Sequence, residues 1–240
     1  MPKVLVCIPT HNEAGSILEL LWRIFDAYPI VDVLVIDDVS SGGTPDLVEN
    51  RYMNQKGVFV LRRPTKDGLG NGYRVAFQWA LSNNYEIVVQ MDADLSHDPS
   101  DIPLLINSIV LGADLAIGWR YVPGGSVEDW PLRREWLSKF GNHYVGFMLN
   151  SKTKDSTSGF RSFSVNNIKK LNLIGTESNG YSFQIETLRR FCRANLLVVE
   201  LPIKFTNRKF GESKINSRII LEAMIRVTVW CFRDIFGKAI

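Results

Sequence analysis

The sequence predicts an α/β protein with a mostly parallel central sheet flanked by helices. Three observations predict it. Short apolar runs alternate with amphipathic stretches over the first 120 residues, the spacing of strand–helix–strand units. The runs are almost continuously apolar, as strands buried on both faces must be. Acidic or polar clusters follow several of them, at the sheet edge where ligands of open α/β folds gather.

In order, strands are expected at 3–8, 31–36, 58–61, 87–91 and 115–118, with helices at 13–27, 45–54, 70–83 and 99–111 between them. Pro9-Thr10-His11-Asn12-Glu13 follows the first strand; Thr10 or Asn12 can cap the helix, and Glu13 suits its positive end. Asp37-Asp38 closes the second strand before the turn Ser40-Ser41-Gly42-Gly43-Thr44. Lys66-Asp67-Gly68-Leu69-Gly70-Asn71-Gly72 precedes the third helix, and Met91-Asp92-Ala93-Asp94-Leu95-Ser96 ends the fourth strand. Past residue 120 the rhythm breaks. A basic amphipathic stretch is expected at 131–150, strands at 160–163 and 196–205, a helix at 181–192 and a last helix at 215–236. The expected organisation is one domain, 1–240, with a nucleotide half to about residue 120 and an acceptor half after it.

Composition is that of a globular chain: 240 residues, 45% hydrophobic and 22% charged, with a formal net charge of +3. That charge supports no general attraction to nucleic acid, and no basic stripe or known module suggests one. Cys7, Cys192 and Cys231 are far apart and lack metal-ligand spacing, which points to reduced thiols and a cytoplasmic setting. The start runs directly into a strand, so no signal peptide is expected. No run reaches the roughly 20 apolar residues of a membrane span.

Asp92 and Asp94 are two residues apart at a strand end, so both leave it pointing the same way. Two carboxylates with open positions left for phosphates are how Mg2+ or Mn2+ is held in phosphate chemistry. Asp37 stands where an acidic side chain can hold ribose hydroxyls or a base edge. The glycines at 68–72 allow close backbone approach to a ligand, and Lys66 can meet a phosphate. All of these clusters fall on one edge of one sheet.

Taken together, the motifs resemble glycosyltransferase family 2, and within it the dolichyl- or polyprenyl-phosphate mannose synthases. The matching pieces are Pro9-Thr10-x-Asn12-Glu13, Ile36-Asp37-Asp38, Gly68-Leu69-Gly70 with Tyr73-Arg74, and Met91-Asp92-Ala93-Asp94-Leu95-Ser96-His97. Gly118-Trp119-Arg120-Tyr121, Asp129-Trp130-Pro131, Ser158-Gly159-Phe160-Arg161 and Arg208-x-x-Gly211-x-Ser213-Lys214 complete them, in family order over residues 4–214. The resemblance implies a GT-A type fold and inverting, metal-dependent transfer from GDP-mannose to a polyprenyl or dolichyl monophosphate. It places Pro9, Thr10, Asn12, Glu13 and Asp37 around the nucleoside, with Lys66, Asp92, Ala93 and Asp94 along the donor. Asp92 and Asp94 would hold Mg2+ or Mn2+. The acceptor phosphate falls to Arg120, Arg134, Ser138 and Arg208, with Lys214 closing the loop that Arg208 opens; Asp92, Asp94, Arg120 and Arg208 would carry catalysis. Three positions depart from the family pattern. His11 replaces a common tyrosine, Ser41-Gly42-Gly43-Thr44 lacks a second aspartate, and Ser96 stands where some relatives have glutamine, so a third metal contact there would run through water.

A lipid phosphate needs orientation more than activation, because it is largely ionised at neutral pH, and arginine orients it by bidentate hydrogen bonds. Arg134 and Ser138 share one helix face. Leu137, Phe140, Tyr144, Phe147 and Met148, with Arg133 and Lys139 nearby, recur at helical spacing; Ile220, Met224, Val227, Trp230 and Phe236 give the last helix apolar area. Such helices either lie in a membrane interface or bury their apolar faces internally. The expected location is peripheral, at the cytoplasmic membrane face, with room for a membrane-anchoring protein partner. Three alternatives stay open: transfer of glucose from UDP-glucose to the same lipid, transfer to a soluble saccharide with His97 or Asp98 as base, and a nucleotide-sugar-binding module without activity.

Overall fold

The computed structural model describes residues 1–122, 124–127, 132–180, 182–207 and 217–237. The first half follows the expected alternation: β1 (Val4–Thr10), α1 (Ile17–Ala27), β2 (Asp32–Asp38), α2 (Thr44–Tyr52), β3 (Val58–Arg63), α3 (Leu69–Ser82), β4 (Ile87–Gln90), α4 (Ile102–Val110) and β5 (Leu115–Trp119). Then come β6 (Ser126–Val127), α5 (Leu132–Met148), β7 (Arg161–Ser164), α6 (Val165–Lys170), α7 (Ser182–Arg193), β8 (Val198–Pro202), β9 (Lys204–Phe205) and α8 (Ser217–Ile235).

Seven strands form one sheet in the order β3-β2-β1-β4-β7-β5-β8. All its neighbours pair in parallel except β7, which runs against both β4 and β5. The carboxyl ends of β1, β2, β3, β4, β5 and β8 therefore share one edge. β7 enters the sheet from that edge, in register with Gln90 and Ile117 at Arg161, so the residues just before it lie there too.

The two-residue period of β1 divides the core. Val4, Val6 and Ile8 pack with Leu20, Leu21 and Ile24 of α1 and Leu105 and Ile106 of α4. Leu5 and Cys7 face the opposite cluster, with Tyr73 and Phe77 of α3 and Phe183 and Phe191 of α7. A smaller cluster of Val145, Ile185, Val227 and Trp230 joins α5 and α8 to α7.

Three elements differ from expectation. The first helix starts at Ile17, not at residue 13, because Glu13 offers its carbonyl to Ser16 and Ile17 in a preceding turn. The strand expected at 196–205 is two: β8 ends at Pro202 beside Trp119, and the chain then crosses to pair β9 with β6. Helix α6, too short to carry a hydrophobic period, begins where the Ser164 hydroxyl accepts the Asn166 N–H.

Candidate active site

The edge brings together Thr10, Asp37, Asp92, Asp94 and Arg120, as the sequence places them. Asp94 is buried, and its Oδ1 accepts the Ser96 amide (3.1 Å) and hydroxyl (2.5 Å) in a turn that puts Leu95 at φ 62°. Ser96, expected to reach a metal through water, is 2% exposed and donates both groups to Asp94; in this structure it orients that carboxylate. Asp92 is half-buried, and a Cβ built on Gly159 would stand 3.3 Å from both its carboxylate oxygens. The methyl of Ala93 lies in the core, so any contact it makes with a donor comes from its backbone.

His97 is buried between Phe160 (5.0 Å, stacked) and Phe205 (5.3 Å, edge-on), with its Nδ1 3.4 Å from the Asp92 amide. Burial pushes its pKa down to about 4, against the pull of Asp94 and helped by Arg120.

The loops after β1 and β2 are knitted together. Asp37 accepts the Thr10 hydroxyl (2.9 Å), the Ser40 amide (2.9 Å) and the Ser40 hydroxyl (2.5 Å). Asn12, at φ 59°, accepts the amides of Ser41 (2.9 Å) and Gly42 (3.3 Å), and the Glu13 amide reaches the Thr44 hydroxyl at 3.0 Å. Thr10 and Asn12 thus tie loop to loop; neither caps α1, whose N-cap position, Ser16, makes no side-chain cap bond. The serine-rich turn that departs from the family pattern is where these contacts land. Asp38 forms a buried ion pair with Arg63, which also meets Asp67. Burial raises the Asp38 pKa, with Arg63 opposing. Nothing in the spacing of Arg63 marked it out.

The glycine-rich loop is not open to a ligand as expected. A Cβ on Gly68 would stand 2.6 Å from the Asn179 carbonyl, and one on Gly70 2.2 Å from that of Ser178. Arg74 donates to the carbonyls of Thr176 (3.1 Å) and Ser178 (3.0 Å) and fastens the same segment. These glycines admit another stretch of backbone, while Lys66 is exposed just before them.

Just after β5, Arg120 is clasped by a residue the sequence reading missed. Its Nε meets Asp155 Oδ2 at 2.7 Å and its Nη2 meets Oδ1 at 2.6 Å; Asp155 is fully buried. Burial would lower the Arg120 pKa, and the Asp155 carboxylate reverses this, raising it. Arg120 also lies over the rings of Phe205 (5.2 Å) and Tyr121 (5.5 Å). Beside it opens a cavity of about 340 Å³, walled by Tyr121, Val122 and Gly125 and by Glu135 and Lys139 of α5. Ser138 is on the same helix, half-buried. Arg208 and Lys214 lie outside the described residues, as do Asp129-Trp130-Pro131 and the side chain of Arg134.

No group of three or more His, Cys, Asp or Glu side chains able to hold a metal occurs among the described residues. The donors the strand end offers are Asp92 and Asp94. An all-oxygen pair fits a hard dication that completes its shell with phosphate oxygens and water.

The pattern of the family described as Glycosyl transferase family 2 matches residues 5–171. The chain belongs to that family. It is a glycosyltransferase, as its relatives in the family are. An undecaprenyl-phosphate mannosyltransferase of Micrococcus luteus is 42% identical over 228 residues, 95% of this chain and 93% of that protein. A polyprenol monophosphomannose synthase of Mycolicibacterium smegmatis is 41% identical over 238 residues, covering 99% and 90%. A dolichol-phosphate mannosyltransferase of Pyrococcus furiosus is 37% identical and covers 92% of this chain and 61% of its own length. Among solved structures, glucosyl-3-phosphoglycerate synthase from Mycobacterium tuberculosis with Mn2+, UDP and glucosyl-3-phosphoglycerate superposes with a TM-score of 0.66 at 18% identity, over 97% of this chain and 79% of that one. At that identity the likeness speaks for the fold alone, and the fold is GT-A.

Proposed function

We propose that this glycosyltransferase moves mannose from GDP-mannose to a polyprenyl or dolichyl-type monophosphate, with inversion, using Mg2+ or Mn2+ at Asp92 and Asp94. The observation that carries the reading is the presence, on one edge, of two carboxylates two residues apart and a buried arginine, while both candidate bases, His97 and Asp98, are engaged in the fold. His97 is covered by two rings and its Nδ1 faces the Asp92 amide. Asp98 caps the turn that precedes α4 through the Ser100 amide, 3.0 Å away. A sugar hydroxyl needs a general base; a phosphate does not. The names of the M. luteus and M. smegmatis relatives support both sugar and lipid.

With a second pKa of about 6, the acceptor phosphate reaches neutral pH largely ionised. One of its oxygens forms the new bond to the anomeric carbon. The bond from that carbon to the donor diphosphate breaks, and its electron pair leaves with GDP. A divalent cation, when bound, neutralises the charge growing on the diphosphate. Arg120 orients the incoming phosphate and offsets its repulsion from the donor, with Arg134, Ser138, Arg208 and Lys214 as its proposed partners. The knitted loops of Pro9, Thr10, Asn12, Glu13 and Asp37 hold the nucleoside, and Lys66 meets the donor phosphates.

Two helices would bring the enzyme to its lipid. On α5, Leu132, Trp136, Phe140 and Phe147 are exposed; on the adjacent α8, so are Leu221, Ile225, Val229 and Phe232. Spacings of three, four and seven put each set on one face. The stripe differs from the sequence reading, since Val227 and Trp230 are buried between helices. No helix among the described residues is long and apolar enough to cross a membrane, so attachment is proposed as peripheral, at the cytoplasmic face, with or without a protein anchor.

The test is transfer of labelled mannose from GDP-mannose to polyprenyl phosphate in detergent, with and without chelator, beside UDP-glucose. A mannolipid that disappears with chelation and returns with Mg2+ or Mn2+ supports donor, acceptor and metal together. A glucolipid made instead overturns the donor, and no product from either donor overturns the acceptor.

A further inference from the structure

The stretch 155–161 touches both charged halves of the site. It lies at the active edge because β7 runs antiparallel and enters from there. At one end, the Asp155 carboxylate engages the Nε and Nη2 of Arg120, and Thr157 Oγ1 accepts a further bond from Nη2 at 3.1 Å. At the other, Gly159 lies against the Asp92 carboxylate. Next to it, Phe160 stacks on His97, whose Nδ1 faces the Asp92 amide, and offers its carbonyl to the Gly118 amide at 2.9 Å, two residues before Arg120.

Between these ends runs a buried guanidinium. Arg161 is fully buried and donates to three main-chain carbonyls: Ser158 (Nε, 2.7 Å), Ser156 (Nη2, 2.7 Å) and Gln184 on α7 (Nη1, 2.6 Å). Removing such a group from water is costly and is offset only by near-complete hydrogen bonding. Two of the three bonds close on its own loop, so the side chain fixes the shape of 156–158 and ties it to α7. The Glu200 carboxylate on β8 receives the Lys154 and Asp155 amides at 2.9 and 2.8 Å and holds the start of the stretch.

We propose that 155–161 is one positioning clasp. Asp155 aims Arg120 at the acceptor phosphate, Gly159 seats Asp92 for the metal, and Arg161 holds the two at a fixed separation. The assignment of acceptor and metal rests on the function proposed above; the geometry of the clasp does not. Gly159 is not in the left-handed region, so its requirement is space. An added methyl would force the Asp92 carboxylate to shift by a few tenths of an ångström.

Two variants of the full chain separate the two ends. Asp155→Asn, which cannot form the charged bidentate pair, is expected to raise the KM for polyprenyl phosphate about tenfold with little change in the Mn2+ dissociation constant. Gly159→Ala is expected to weaken Mn2+ about tenfold, read by electron paramagnetic resonance with GDP or UDP present, and to leave the acceptor KM nearly unchanged. If Asp155→Asn does not fold, Thr157→Val decides: it removes one contact on Nη2 and should raise the acceptor KM about threefold at an unchanged Tm. Wild-type acceptor KM in the Asp155 or Thr157 variant, wild-type Mn2+ affinity in Gly159→Ala, or both constants moving together in each variant would overturn the clasp. Should the wild-type protein form no sugar lipid at all, the functional reading fails, and the Mn2+ titration of Gly159→Ala still tests the seating of Asp92.

Discussion

The proposed nucleotide side of the carboxyl edge, at β1 and β2, and the proposed acceptor side, at β5, are held by different balances of hydrogen bonds and ion pairs. At β1 and β2, Thr10, Asn12, Asp37, Ser40 and Thr44 form a web of hydrogen bonds between two neighbouring loops, with the buried Asp38–Arg63 pair beside it. Each bond contributes modestly, and the loss of one leaves the others. On the acceptor side, Arg120 and Asp155, 35 residues apart, form a buried ion pair, and the helices beyond carry exposed apolar stripes. A web of many bonds keeps its shape without a ligand. A buried pair keeps its shape only while both members are present, and an exposed stripe is at rest only against something apolar.

The largest effect separates catalysis from stability on the donor side. Asp94→Asn retains an oxygen able to accept the two Ser96 bonds but loses the charge. Turnover is expected to fall by about 10²-fold or more, with Tm almost unchanged. A variant of full activity would remove Asp94 from the donor site. Arg120 should behave otherwise. Arg120→Met leaves the Asp155 carboxylate buried and unpaired, a cost of about 3–5 kcal/mol, so Tm and activity fall together. Replacing both members, as Arg120→Met with Asp155→Leu, should recover most of the Tm and none of the activity. Recovery of activity in the double variant would break the contrast between the two sides.

The same contrast explains what the sequence could disclose. The web between the β1 and β2 loops comes from contiguous motifs, each closing a strand, so the place of Thr10, Asn12, Asp37, Asp92 and Asp94 at the carboxyl edge was legible in the sequence. Asp155 was not: it sits in a polar run with no periodicity, and its meaning depends on an antiparallel strand that brings residue 155 beside residue 120. Gly68 and Gly70 were legible as glycines needing space, but the occupant of that space is the 178–179 backbone, more than a hundred residues away. Ser96 was read by its rank in a motif, whereas the tight turn at Leu95 directs its hydroxyl to Asp94. Local patterns state which atoms must be accommodated; tertiary contacts decide by what.

An intermediate effect concerns the exposed stripes. Trp136→Ser with Ile225→Ser and Phe232→Ser removes three exposed apolar side chains from α5 and α8. Flotation with anionic liposomes should fall sharply, while Tm moves by little, since exposed positions change stability by about 0.5 kcal/mol or less each. A large loss of Tm would mean that these faces support the fold, and unchanged flotation would leave the membrane to another surface.

The smallest effect lies between the start of α4 and β9. Asp101, at the start of α4, accepts a backbone hydrogen bond from Lys204 of β9, yet burial first, and Asp98 second, raise its pKa from 3.8 to about 6. A carboxyl raised in this way keeps a proton in the folded chain that the unfolded chain has released. Between about pH 4 and 6, folding therefore takes up a proton, so stability falls as pH rises through that window and stays lower above it. Asp101→Asn removes the titration. Its Tm should lose that slope between pH 4 and 6 and exceed the wild-type value at pH 8 by about 2 °C. Equal slopes in the two proteins would place Asp101 in water rather than against β9, and the gap between α4 and β9 would then be wetter than the burial of this carboxyl implies.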